Sequence, residues 1–214
     1  MLLPNIFRMV EELECPEQED IEELVRNKDE ATMYRALIAL LHVAIAKPYE
    51  LCPDKKNGWK GITLRQVQLK ELTIGNNKPR PILMIEGVRT RKPGKGYIGT
   101  RDIPVDPIKD KFFVDALKDY TSKLFPGLNP ELFPMSTTTI RRILKRVHPD
   151  LIPYMLKYAR LRELAARGYD DKELRYLAGW TRSKPAKNFT KNISKYGRVN
   201  LNIILARHFK GETI

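Results

Sequence analysis

The sequence predicts a mainly α-helical domain with a small antiparallel β element, an α+β fold. Three observations lead there. Apolar residues recur at helical spacing up to residue 46 and again from residue 106 onward. Between them, two short apolar runs at 81–86 and 98–105 bracket a turn-rich basic segment, the pattern of a hairpin. The chain has 214 residues, 42% of them hydrophobic, enough to bury a sizeable core. No apolar run reaches the roughly 18 residues that span a bilayer, so no membrane partner is expected.

Each element has a local cause. Residues 17–28 read as a short acidic helix. Asp29 can cap the next helix, over 30–46. There Met33, Leu37, Ile38, Leu40, Leu41, Val43 and Ala44 cover most of the circumference, which predicts a central position. Lys47-Pro48 ends it, because proline disfavours helical geometry in the residue before it. Residues 54–61 form a polar loop carrying Lys55, Lys56 and Lys60, and 64–69 read as a short strand or a turn. Ile82, Leu83, Met84 and Ile85 predict a buried strand, with 98–105 as its partner. The tip between them carries Arg89, Arg91, Lys92 and Lys95 among Pro93, Gly94 and Gly96.

The second half is helical. Asp106-Pro107 starts a helix to about residue 124, with proline tolerated in the first turn. Ser136 caps a helix over 138–147 that presents Arg141, Arg142, Lys145 and Arg146. A further helix over 151–167 is closed by Gly168. Asp170 opens a short helix that Gly179 stops, and 185–196 reads as another. Cys15 and Cys52 form neither a metal motif nor a disulfide framework, which predicts free thiols in a reducing compartment. His42, His148 and His208 are far apart; His42 lies in the apolar helix pattern, and no metal site or cofactor is expected.

The net charge of +13 is uneven. Residues 1–30 hold ten acids against three bases, so the remainder carries an excess of +20. Such a surface attracts polyanions, which favours a nucleic-acid partner. The charge-rich, cysteine-poor composition fits a cytoplasmic or nucleoid-associated protein, or a virus-encoded intracellular one.

Several landmarks, in order and spacing, resemble the catalytic domain of the tyrosine recombinase (phage integrase) family. The apolar helix running into Ala44-Ile45-Ala46-Lys47-Pro48-Tyr49-Glu50-Leu51 resembles the family's "TGLRISEL", with Lys47 on the first catalytic arginine. Tyr154-Met155-Leu156-Lys157 sits on the "HxLR" box. Arg167-Gly168-Tyr169-Asp170 followed by Leu177-Ala178-Gly179-Trp180 resembles "xxGxD…LLGH". Ten residues beyond Gly179, where the nucleophilic tyrosine belongs, stands Phe189. The resemblance covers residues 17–196. It implies an extension at 1–16, a recombinase-like domain at 17–198, and a tail at 199–214 that packs in cis or is exchanged between protomers. The helix at 17–28 already matches the start of the catalytic domain, so the family's amino-terminal DNA-binding domain is expected to be absent.

In that family, the resemblance implies, a tyrosine hydroxyl attacks a DNA phosphodiester, two arginines clamp the non-bridging oxygens, and a hairpin lysine, here Lys92 with Arg91 and Lys95 as alternative counterparts, protonates the leaving oxygen. No metal is used. Phe189 keeps the ring but has no oxygen. Lys47 and Lys157 keep the charge but lose the planar two-pronged donor. Losing one such donor costs about 100- to 1000-fold in rate, whereas phosphate affinity depends mainly on how many charges are neutralised. The expected function is therefore duplex DNA binding by an integrase-like core without cleavage: a pseudoenzyme that organises DNA, regulates a mobile element, or serves a related recombinase as a non-cutting subunit. The expected DNA surface is Lys55, Lys56, Lys60, Arg89, Arg91, Lys92, Lys95, Arg141, Arg142, Lys145, Arg146, Lys157, Arg160, Arg182, Lys184 and Lys187. Two other readings stay open. One is an active divergent recombinase that uses Tyr196 with Arg160 and Lys92. The other is an RNA-binding or assembly protein, for which aromatic stacking clusters are lacking.

Overall fold

The structure, a computed structural model, describes residues 16–27, 31–54, 58–73, 78–90, 99–124 and 130–180. Helix α1 (Gln18–Arg26) precedes α2 (Thr32–Val43) and the single turn α3 (Pro48–Leu51). A three-stranded antiparallel sheet follows, built from β1 (Val67–Leu72), β2 (Arg80–Arg89) and β3 (Thr100–Val105) in that order. Helices α4 (Lys111–Thr121), α5 (Thr137–Val147), α6 (Pro153–Ala166) and α7 (Asp171–Leu177) complete the described part. This is the expected α+β architecture. Among the described residues no helix is long and apolar enough to cross a membrane.

The core is centred on α2. Its residues from Ala36 to Val43 are all at most 1% exposed, His42 included, and it packs on α1, α4, α5 and α6. Burying Leu37, Ile38, Leu40 and Leu41 stabilises the fold by about 2 kcal/mol each, so tertiary burial, more than intrinsic propensity, holds this helix. The helix ends in a Schellman arrangement: the amide of Ala46 donates to the Leu41 carbonyl at 3.2 Å and that of Ile45 to the His42 carbonyl at 3.0 Å. The left-handed residue this requires is Ile45, with φ of 51°. A β-branched residue there costs about 1–3 kcal/mol, and Ile45 stands where the family motif has its glycine.

In the sheet, Val67 pairs with Ile85, and Leu83 and Ile85 pair with Val105 and Ile103. A bulge between Ile85 and Val88 lets Gly87 donate its amide to Asp102 at 2.8 Å and places Val88, paired with Arg101, on the core face and Arg89, paired with Thr100, on the opposite face, where each is buried. The segment at 64–69, open between strand and turn on sequence, divides into a 3-10 turn (Leu64–Gln66) and the start of β1. Residues 107–110 form turns that precede α4, so that helix starts later than the Asp-Pro signal indicates: the Asp106 carboxylate accepts the Ile108 and Lys109 amides and holds a non-helical turn. As expected, Ser136 caps α5, its hydroxyl accepting the Thr139 amide at 3.1 Å. Asp170 caps α7 by accepting from the Lys172 and Glu173 amides.

Candidate nucleic-acid interface

The turn between α2 and α3 delivers Lys47. It is half-buried, and its Nζ lies 5.6 Å from the ring centroids of both Tyr49 and Tyr154. Burial opposes the ammonium, but the neighbouring Tyr49 and Tyr154 phenols outweigh it and raise the Lys47 pKa. Burial, in turn, raises the pKa of Tyr49. Tyr154, at the start of α6, also stacks on Tyr158 at 6.3 Å.

One turn along α6, Lys157 is 1% exposed. Its Nζ donates to the Ala178 carbonyl at 2.9 Å and lies 5.4 Å from the Trp180 ring. Burial drives its pKa down to about 7; Glu50 resists this, while Arg101 and Lys47 reinforce it. Lys47, Tyr154, Lys157 and Trp180, four positions that the resemblance assigns to the site, are thus brought into one neighbourhood.

The residue at the centre of this neighbourhood escaped the sequence reading. Arg101, on β3, is 3% exposed. Its Nε donates to the Leu177 carbonyl at 2.7 Å, its Nη1 to the Arg89 carbonyl at 2.7 Å, and its Nη2 to the Glu50 carboxylate at 3.0 Å. The Nη2 also lies 3.4 and 3.5 Å from the Ile45 and Ala44 carbonyls. One guanidinium therefore joins the end of α2, α3, β2 and the end of α7. Gly179 is part of this fit: a Cβ there would lie 2.7 Å from Arg101 Nη1. The strand period holds the missed signal. Arg101 shares a face with Ile103 and Val105, so alternation alone points it inward.

Three sequence expectations are corrected. Arg160, the alternative catalytic arginine and a candidate DNA contact, is 2% exposed and turned to carboxylates of the interior. It forms a two-pronged pair with Asp110, 2.7 Å on each arm, and reaches Glu163 at 2.7 Å. These carboxylates raise its pKa against the effect of burial; both Nη groups are committed within the protein, while the buried Nε makes no hydrogen bond. Arg89, expected at the hairpin surface, is 1% exposed because Trp59 and Asp54 cover it on the sheet face opposite Val88, with the Trp59 ring at 5.2 Å and Asp54 at 3.6 Å. Lys157 itself is buried rather than presented as a surface contact.

The remaining candidates separate clearly. Lys60 is exposed, as are Arg141, Arg142, Lys145 and Arg146 along α5, whose Ile140, Ile143 and Leu144 face the core. Helix α5 packs against α3, beside the Lys47 turn. Lys55, Lys56, Arg91, Lys92, Lys95, Arg182, Lys184, Lys187, Phe189, Tyr196 and the tail at 199–214 lie outside the described residues, as does Cys15. Cys52 is buried, and burial pushes its thiol up to about 12, so it is inert as a nucleophile. A cavity of about 970 Å³ between α1 and residues 148–155 shares no lining residue with the Lys47 site.

No family model matches the chain, and no curated protein matches it by sequence. Solved structures do. XerA recombinase superposes with a TM-score of 0.53 at 14% identity, over 93% of this chain and 65% of that one. The fold is that of a tyrosine recombinase catalytic domain. The Tn1549 transposon integrase in complex with transposon right end DNA (TM-score 0.46, 16% identity, 90% of this chain and 63% of that one) is also similar. So is XerH recombinase bound to its difH substrate (0.45, 14%, 82% and 49%). The chain spans less than two thirds of the length of each of these structures.

Proposed function

We propose that this chain is a duplex DNA-binding protein built on a recombinase core that grips a phosphodiester without cutting it. The observation that carries the reading is the neighbourhood of Lys47, Tyr154, Lys157 and Trp180. On a recombinase fold these positions converge, and the cations that stand there are ammonium groups. Lys47, half-buried between two phenols, makes the direct phosphate contact. Lys157, beneath Trp180, adds positive potential from below when protonated. Exposed Arg141, Arg142, Lys145 and Arg146 on α5 hold the flanking duplex, and α5 is the element suited to a groove.

Phe189 in the nucleophile position removes the oxygen that would form a phosphotyrosine, and ammonium groups replace the planar clamp. The pairing of Arg160 with Asp110 and Glu163 argues against the rival set of Arg160 and Tyr196. The wider role is to occupy or organise DNA within the cell, as a mobile-element regulator or as a non-cutting partner of a related recombinase.

Two measurements test this. Anisotropy of a labelled duplex against salt should give a log–log slope of about −0.9 per phosphate neutralised, and Lys47→Ala should make that slope shallower by about 1. A slope near zero rules out the DNA grip. A nicked half-site suicide duplex should give no covalent adduct on a denaturing gel. An adduct that disappears in Tyr196→Phe replaces the pseudoenzyme with an active recombinase.

A further inference from the structure

The Glu50 carboxylate is 2% exposed and lies among three cations, Lys47, Arg101 and Lys157. A buried carboxylate in such company is neutralised by one of them, and the choice decides where the others point. Here Arg101 takes it, at 3.0 Å, and the second contact of the same Glu50 oxygen is the backbone amide of Lys47 at 3.1 Å. Neither ammonium is drawn in. That of Lys47 stays between Tyr49 and Tyr154, and that of Lys157 goes to the Ala178 carbonyl beneath Trp180.

We infer that Arg101 is a positioning residue for the anion site: by occupying Glu50 it leaves the Lys47 ammonium to meet an incoming phosphate and the Lys157 ammonium on the Ala178 carbonyl beneath Trp180, instead of letting the protein's own carboxylate draw either one in. Arg101 does not touch the phosphate, because its donors all end on Arg89, Leu177, Glu50 and the end of α2. Its effect reaches the ligand through Lys47 and Lys157. Lysine in place of arginine makes the arrangement necessary, since a flexible ammonium on a long stem follows the strongest local anion, whereas a rigid guanidinium fork is fixed by several acceptors at once. The inference rests on the phosphate-gripping reading above for its consequence, but the pairing of Glu50 is testable without DNA.

The chain has two tryptophans, so Trp59→Phe leaves Trp180 as the single reporter beside the Lys157 ammonium. In that background, pH titration of Trp180 emission should show a midpoint near 7. Arg101→Gln should raise the midpoint by about one pH unit, the size of one close charge interaction, and should weaken duplex binding about tenfold. Glu50→Gln, which keeps an oxygen for the Lys47 amide and serves if Arg101→Gln does not fold, should lower the midpoint. The double variant Arg101→Gln/Glu50→Gln should return both midpoint and affinity toward the parent, a rescue that simple loss of packing does not give. A Glu50→Gln midpoint that is unchanged or raised overturns the positioning role, and so does a folded double variant that binds duplex as poorly as Arg101→Gln. Absence of duplex binding in the parent, with the midpoints moving as stated, sinks the DNA reading alone.

Discussion

Helix α6 carries two buried cations three residues apart, and their surroundings differ in kind. Arg160 sits in a closed account of charge: two guanidinium groups, Arg160 and Arg167, meet two carboxylates, Asp110 and Glu163, with His42 alongside. Burial keeps the His42 imidazole pKa below its ordinary value. Burial also opposes the Asp110 charge, but the Arg160 and Arg167 guanidinium groups hold its pKa below the usual carboxylate value. Around Lys157, by contrast, three cations share one carboxylate, Glu50. The balanced cluster ties α4 to α6 and leaves nothing over. The unbalanced one holds more cationic groups than carboxylates, the arrangement on which the proposed phosphate grip rests.

The largest effect that sharpens this contrast is at Arg160. Arg160→Ala leaves Asp110 buried without its two-pronged partner and should destabilise the fold by about 3–5 kcal/mol in urea unfolding, while duplex affinity measured below the transition stays near wild type. A loss of affinity without a loss of stability erases the distinction between the clusters.

The second test uses pH at Lys157, one turn before Arg160 on α6. The Lys157 pKa is lowered from 10.5 to about 7 in the folded chain. Between those values the unfolded chain holds a proton that the folded chain lacks, so this group makes stability rise with pH across that window, by at most about 1.4 kcal/mol per unit. Lys157→Met should remove that rise and should be more stable than wild type at pH 7. The balanced cluster gives a slope of the same sign in a lower window. Asp110 and Glu163 have folded pKa values below their ordinary 3.8 and 4.5, so their stabilisation is present above those values and is lost as acid takes the pH below them. Asp110→Asn should flatten this acid limb. The smallest effect, outside both clusters, is Ser136→Ala, which removes the α5 cap and should cost about 1 kcal/mol.

Most of the scaffold was legible in the sequence, and the reasons are local. The apolar stripe around Leu37, Ile38, Leu40 and Leu41 predicts a central helix, and Ser136 and Asp170 mark helix starts by chemistry that needs no tertiary partner. The hairpin strands follow from their apolar runs, and the order of the landmarks led to the recombinase fold. The site was legible only in part. Lys47, Tyr154, Lys157 and Trp180 follow from spacing, but basic residues in a basic segment all look alike, and Arg89 was counted with the surface. Its burial depends on Trp59 and Asp54, which cover it from outside its own strand. Arg101 was readable from alternation with Ile103 and Val105, yet its partners are carbonyls from three segments, at 44–45, 89 and 177, and the Glu50 carboxylate, which no local pattern encodes. The choice between Lys157 and Arg160 needed Asp110, 50 residues upstream of Arg160.

The left-handed Ile45 sets the terms on which Lys47 can move. A glycine there would make the bend adaptable. Isoleucine holds the same bend under tension, and its side chain, 0% exposed, is clamped by the hydrocarbon interior, so relaxing the backbone means withdrawing a plug from the middle of the domain. Any change that loosens the interior beneath residue 45 should therefore be felt two residues on, as a lysine that no longer aims at its target.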